Sequence, residues 1–149
     1  MPQGTAHQIL TELHVCNECT CYVGLMSREC PVNVAYDMKG TLDAWPKQLG
    51  ETMTALKEND NVIYIITGIT APHVNDDDVT AAQESLNKIG ITPAMYDHLV
   101  VCPAPHPKSK AAAVKEHKID ILVDNKIGTA KKVAKLGCLV LVPFSTAEK

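Results

Sequence analysis

Aromatic side chains are scarce in this sequence: one Phe, one Trp and four Tyr make up 4% of its 149 residues. A core without them has to be aliphatic, as it is in parallel sheets covered by helices on both faces. Positive charge is also short. Fourteen Lys and Arg against seventeen Asp and Glu leave a net charge of −3, which offers no basic footprint and argues against a nucleic-acid partner. No apolar run approaches the roughly 20 residues of a membrane span. No Lys or Arg precedes Arg28, so the N-terminus lacks the charged opening of a signal peptide. A soluble cytoplasmic protein is therefore expected. Neither Gly-x-Gly-x-x-Gly nor a Walker loop occurs, so a phosphate group would have to be held by other means.

Cysteine, by contrast, is plentiful. Four of the six, Cys16, Cys19, Cys21 and Cys30, crowd into fifteen positions. Cys16-x-x-Cys19 has the spacing of half a zinc knuckle, and Cys21 or Cys30 with His14 could complete four ligands. Reduced thiols and a disulfide pair are the competing readings of the same cluster. Cys102 and Cys138 each border an apolar run and read as small core residues.

Residues 1–31 form a Cys-rich segment whose only regular stretch is a short helix over 6–14. From residue 32 the pattern becomes periodic and continues to the end of the chain, giving one α/β domain over 32–149. Val32–Tyr36, Val62–Ile66, His98–Cys102, Ile119–Val123 and Cys138–Val142 are short, nearly all-apolar runs, as expected of strands buried on both faces. Between them lie helical stretches over 42–58, about 76–88, 109–118 and 129–136. In the first of these, Leu42, Trp45, Leu49, Met53 and Leu56 form the apolar stripe that would pack on the sheet. Asp76, Asp77 and Asp78 read as a helix N-terminus, and residues 103–107 as a proline-rich loop. Five strands alternating with four helices imply βαβ crossovers and a doubly wound, Rossmann-like parallel sheet.

In such sheets ligands bind beyond the carboxyl ends of the strands, where strand order reverses. Asp37, Thr67 and Asp124 all follow apolar strands directly. Two carboxylates converging from separate strand ends suit a hard cation such as Mg²⁺. Asp37 could attack phosphorus, Thr67 offers a hydroxyl, Gly68 a backbone N–H, and Lys108 or Lys110 a positive charge. His106, between prolines, reads as a solvated loop side chain.

Val32-Asn-Val-Ala-Tyr-Asp37-Met-Lys39-Gly40-Thr41-Leu42 resembles the first motif of the haloacid dehalogenase (HAD) superfamily. Ile65-Ile66-Thr67-Gly68 is similar to its second motif, Lys110 (or Lys108) ahead of a helix to its third, and Ile121-Leu-Val-Asp124-Asn125 to its fourth. The resemblance spans roughly residues 32–144 and implies sheet order 5-4-1-2-3. It implies Asp37 as nucleophile, with Lys39, Thr67 and Lys110 beside it. Thr67, Gly68, Lys108 and Lys110 would hold phosphate. Asp37, the Lys39 carbonyl, Asp124 and Asn125 would hold Mg²⁺. One position departs from the pattern: Lys39 stands where the family's phosphatases carry a second Asp as general acid/base, a role typically contributing about 10²–10⁴ in rate. The leading expectation is a Mg²⁺-dependent phosphohydrolase acting on a small phosphorylated metabolite or nucleotide through an aspartyl-phosphate. The alternative is a catalytically impaired HAD-like binding or assembly module. The segments after the first strand and over 69–97 are too short for a cap domain. The resulting open site would take a large substrate or be covered by the N-terminal segment or another subunit, in which case a homo-oligomer follows.

Overall fold

The computed structural model describes residues 30–144, of which those from Val32 onward form one α/β unit. Its strands are β1 (Asn33–Tyr36), β2 (Val62–Gly68), β3 (His98–Cys102), β4 (Ile121–Val123) and β5 (Leu139–Leu141). The helices between them are α1 (Pro46–Glu58), α2 (Asp76–Lys88), α3 (His106–Glu116) and α4 (Ile127–Ala134). All strand pairs are parallel, in the order β3-β2-β1-β4-β5. This is the expected 5-4-1-2-3 order, counted from the opposite edge. Among the described residues no helix is long and apolar enough to cross a membrane.

Side chains alternate across the sheet and build two separate cores. On one face Ala35, Tyr64, Ile66 and Leu122 pack with Ala111, Ala113 and Val114 of α3 and Val133 of α4. On the other, Val34, Tyr36, Ile63, Ile65 and Val123 pack with Met53 of α1 and Leu86 of α2. Burial on both faces explains why the strand sequences run apolar without interruption.

Polar groups fix where the elements start. Asn75 caps α2: its side chain accepts from the Asp78 N–H at 3.0 Å, and the Asp78 carboxylate accepts from the Asn75 N–H at 2.9 Å. The cap thus falls one residue before the expected Asp76–Asp78 run, which instead fills the first turn, where negative charge favours the helix. At the amino ends of the strands, Asp120 accepts from the Asn33 N–H and Asp97 from the Ile63 N–H, both at 2.8 Å.

Two helix starts and one packing contact differ from the sequence reading. The helix expected from Leu42 starts at Pro46, because residues 38–42 form a tight turn containing Gly40 at φ +80°. Trp45 lies at the N-cap of α1 and belongs to neither core, so Leu49, Met53 and Leu56 alone pack that helix. The proline-rich loop is shorter than expected, since α3 opens at His106 with Pro107 in its first turn, where no N–H is needed.

Candidate functional site

Strand order reverses at β1: the chain passes to β2 on one side and returns to β4 on the other. The loops above the carboxyl ends of β1 and β4 therefore frame the crevice in which ligands of doubly wound sheets bind. The Asp37 N–H donates to the Val123 carbonyl (2.8 Å) and the Asp124 N–H to the Leu141 carbonyl (3.1 Å), so ladder hydrogen bonding holds both aspartates at the strand ends.

Their side chains are buried and meet on one cation. Lys110, in α3, places its ammonium 2.6 Å from Asp37 Oδ1 and 3.1 Å from Asp124 Oδ2. Of the two candidate lysines, Lys110 is the buried one, and Lys108 stays exposed. The remaining carboxylate oxygens have partners as well. Asp124 Oδ1 accepts from the Lys126 N–H at 2.9 Å, and Asp37 Oδ2 accepts from the Thr41 hydroxyl at 3.3 Å. The Asn125 amide is oriented by its surroundings: with its nitrogen toward Asp37 it donates to Asp37 Oδ2 (3.2 Å) and to the Lys39 carbonyl (3.0 Å). The Thr41 hydroxyl in turn accepts from the Asn125 backbone N–H at 3.1 Å.

The electrostatics follow from this burial. For Asp37, desolvation is the largest influence and pushes its pKa up; Lys110 opposes the rise and Asp124 adds to it. For Lys110, burial alone would lower the pKa, but Asp37 and Asp124 together outweigh it and hold the ammonium above its ordinary value. The cluster thus sets one buried ammonium between two buried carboxyl groups.

The remaining expected residues take different positions. Thr67 is buried at the end of β2, one residue further along the strands than Asp37, given the pairing of Tyr36 with Ile65. Gly68 follows it, with the His106 ring packed so closely that a Cβ at Gly68 would lie 2.6 Å from the imidazole. That ring also hydrogen-bonds the Ile69 carbonyl, so His106 is packed on the end of β2 and is not a free loop side chain. Lys39 is exposed and its ammonium stays out of the cluster. Thr41 was missed as a site residue. The available signal was a hydroxyl directly after Gly40, where the turn brings the chain back over Asp37.

Mg²⁺ was expected on Asp37, the Lys39 carbonyl, Asp124 and Asn125. In this arrangement those oxygens already face Lys110, Asn125 and the Lys126 N–H, and the residues present form an ammonium-bridged cluster rather than a cation site. Among the described residues no group of three or more His, Cys, Asp or Glu could hold a metal ion. Magnesium is therefore not supported here, and the zinc expectation falls mostly outside the described residues. Cys30 is disulfide-bonded and is not a zinc thiolate in this structure, while Cys16, Cys19 and Cys21 lie outside the described residues. Cys102 and Cys138 are buried free thiols, as expected.

The sequence matches no protein-family model, and no curated protein matches it. Solved structures do resemble the fold. An uncharacterized protein from Corynebacterium glutamicum aligns with a TM-score of 0.53 at 15% identity, over 76% of this chain and 85% of that one. A universal stress protein in complex with cAMP aligns at 0.48 and 15% identity, over 76% and 97% of the two chains. A universal stress protein family protein from Arabidopsis thaliana with AMP bound aligns at 0.41 and 15%, over 75% and 90%. Identities this low establish a shared fold and no more. No haloacid dehalogenase is among them, and no family model supports the resemblance read from the four motifs, which is corrected accordingly. With it fall the expected phosphohydrolase activity, its aspartyl-phosphate and the impaired-HAD alternative.

Proposed function

We propose that this domain binds a small phosphorylated molecule, of the nucleotide class, in the crevice above β1 and β4, without cleaving it. The observation that carries the reading is the distribution of cations. In a chain of net charge −3, the loops and first helical turn at this end carry Lys39, Lys108 and Lys126, all exposed, around the buried Lys110. Exposed cations around a concave site draw in an anion. The first turn of α3 adds the N–H groups of His106 and Lys108, since Pro107 has none and the Ser109 N–H donates to the Pro105 carbonyl at 3.1 Å. Thr67 and Gly68 line the same end, with the His106 ring packed on Gly68.

The internal neutralisation of Asp37 by Lys110, Thr41 and Asn125 supports binding over covalent chemistry, because a nucleophile has to be free to reach its target. The same observation favours a second reading, in which the cluster is a structural staple only. On this reading the site, with no cap domain among the described residues, is left to a sizeable ligand or to closure by a second copy, and the protein is cytoplasmic.

Thermal shift and calorimetric titration with AMP, cAMP, ATP and inorganic phosphate, each with and without Mg²⁺, test the proposal. A binder at 100 times its Kd stabilises by about 2.7 kcal/mol, a readily measured rise in Tm. The rise is expected to shrink in Lys39→Ala/Lys108→Ala/Lys126→Ala, whose exposed side chains contribute little to folding. No shift with any ligand would leave the staple reading, and release of phosphate from the bound nucleotide would refute binding without cleavage.

A further inference from the structure

The net charge of −3 conceals an uneven division between the two layers of helices. On one side of the sheet, α1, α2 and the turns that end them carry seven acidic residues and three lysines. On the other, α3, α4 and the turns that end them carry one acid, Glu116, and six exposed lysines: Lys108, Lys115, Lys118, Lys131, Lys132 and Lys135. None of the six forms an ion pair among the described residues, whereas Lys57 pairs with Asp97 at 3.5 Å and the buried Lys110 with two aspartates. Helix C-termini favour lysine, which suits Lys131 and Lys132, but α1 and α2 end on lysine too and are otherwise acidic.

The helical repeat turns these lysines outward together. α4 buries Thr129, Ala130 and Val133, so at about 3.6 residues per turn its opposite side presents Ile127, Lys131, Lys132 and Lys135. α3 buries Lys110, Ala111, Ala113 and Val114, which leaves Lys108, Ala112 and Lys115 on its outer stripe. The two helices pack on one another over the same face of the sheet. Lys108 and Lys115 stand about 10 Å apart along the axis, and packed helix axes lie about 8–10 Å apart. These spacings are close to the Debye length of roughly 8 Å, so the potentials of the two rows add.

The chemistry of the face selects its partner. Neither helix carries Arg, Phe, Tyr or Trp. The face thus lacks both the guanidinium fork that reads base edges and the rings on which bases stack. What it adds to the lysines is aliphatic: Ile127, 54% exposed, and Leu136, 47% exposed, flank Lys131, Lys132 and Lys135. Such side chains have no use against a phosphodiester backbone. They suit the boundary between lipid headgroups and acyl chains, where the apolar stems of lysines also lie.

We infer that the α3–α4 face docks on an anionic lipid bilayer, its lysines against the headgroups and Ile127 and Leu136 dipping between them. The inference is independent of the ligand proposed above, and Lys108, which that site shares, is left out of the variants. Flotation of the full chain with vesicles of phosphatidylcholine holding about 30% phosphatidylserine, and with phosphatidylcholine alone, tests it.

Binding to the anionic vesicles only is expected, weakening as salt is added. Each lysine at such a surface contributes about fivefold in partition, so Lys131→Gln/Lys132→Gln/Lys135→Gln is expected to lose about a hundredfold. The charge-keeping Lys131→Arg/Lys132→Arg/Lys135→Arg is expected to bind like wild type, and so is Lys47→Gln/Lys88→Gln, which removes charge from the opposite layer. Ile127→Ser/Leu136→Ser is expected to lose more than about tenfold. Circular dichroism checks that each variant keeps the wild-type fold. A wild type that ignores anionic vesicles at low salt overturns the inference, as does one that binds neutral vesicles equally. A folded glutamine triple variant that binds like wild type, or an equal loss in Lys47→Gln/Lys88→Gln, overturns it too. Tighter binding to a random-sequence oligonucleotide than to the vesicles would give the face to nucleic acid instead.

Discussion

Replacing Lys110 by Met tests the central cluster most directly. Met keeps much of the volume and removes the ammonium that lies 2.6 Å from Asp37 and 3.1 Å from Asp124, leaving two buried carboxylates without a cation. Removing one partner of a buried ion pair costs about 3–5 kcal/mol. For a domain of this size that corresponds to a fall in Tm of roughly 10–20 °C. Urea unfolding at pH 7 measures the loss directly. The deficit has a predicted pH dependence. Without Lys110, nothing offsets the burial that pushes the Asp37 carboxyl up, so the folded variant takes up a proton that the unfolded chain does not. Its stability then rises as pH falls, and the gap to wild type narrows toward about pH 5. The neutral triple variant Asp37→Asn/Lys110→Met/Asp124→Asn is expected to recover most of the loss, because no uncompensated charge remains. A single-variant deficit below about 1 kcal/mol at pH 7, a deficit that does not narrow on acidification, or a triple variant as unstable as the single one would refute the reasoning.

Two further predictions concern the same end of the sheet. Because the Lys110 pKa lies above its ordinary value of 10.5, its contribution is complete below that pH and is lost as pH rises through the folded value. Tyr36, Tyr64 and Tyr96, all raised by burial, act in the same direction, so Lys110 is isolated by subtracting the alkaline stability curve of Lys110→Met from that of wild type. Gly40→Ala is expected to destabilise by about 1–3 kcal/mol in denaturant titration: φ is +80°, and the new Cβ would lie 2.3 Å from the Asn125 side-chain amide, displacing the group that serves Asp37. Unchanged stability would mean the turn can relax.

The doubly wound sheet was legible because its strands are buried on both faces, and an uninterrupted aliphatic run such as Val62–Ile66 leaves few alternatives. The chemistry at the strand ends was legible in part. Asp37, Lys110 and Asp124 do converge, since each directly follows a strand or sits in the helix facing one. What one chain could not reveal was the state of that cluster. Whether Lys110 lies beside a free carboxylate or bridges two depends on the reach of α3 across the sheet, which no local pattern encodes. Thr41 was overlooked because its role depends on a turn that folds it back over Asp37. Helix starts went astray at Leu42 and Ser109 because Gly40 and Pro107 act through backbone geometry, which hydrophobic periodicity does not register. Motif order was misleading as to family: apolar strands ending in Asp or Thr suit any parallel sheet that gathers polar groups at its switch point.

The carboxylates that cap the starts of β1 and β2 have a consequence at the scale of the whole domain. Asp97 and Asp120 put negative charge at the amino ends of the strands, while Lys39, Lys108 and Lys126 ring the opposite end. The helices begin at that lysine end, but Asp76, Asp77 and Asp78 fill the first turn of α2 there. At the other end the helices finish with Lys57, Lys88, Lys115, Lys131 and Lys132, so charge of both signs is spread along the domain rather than parted between its ends. Any pull of the rim lysines on an anion is therefore local to the crevice, and salt would weaken it within a Debye length of roughly 8 Å at physiological strength.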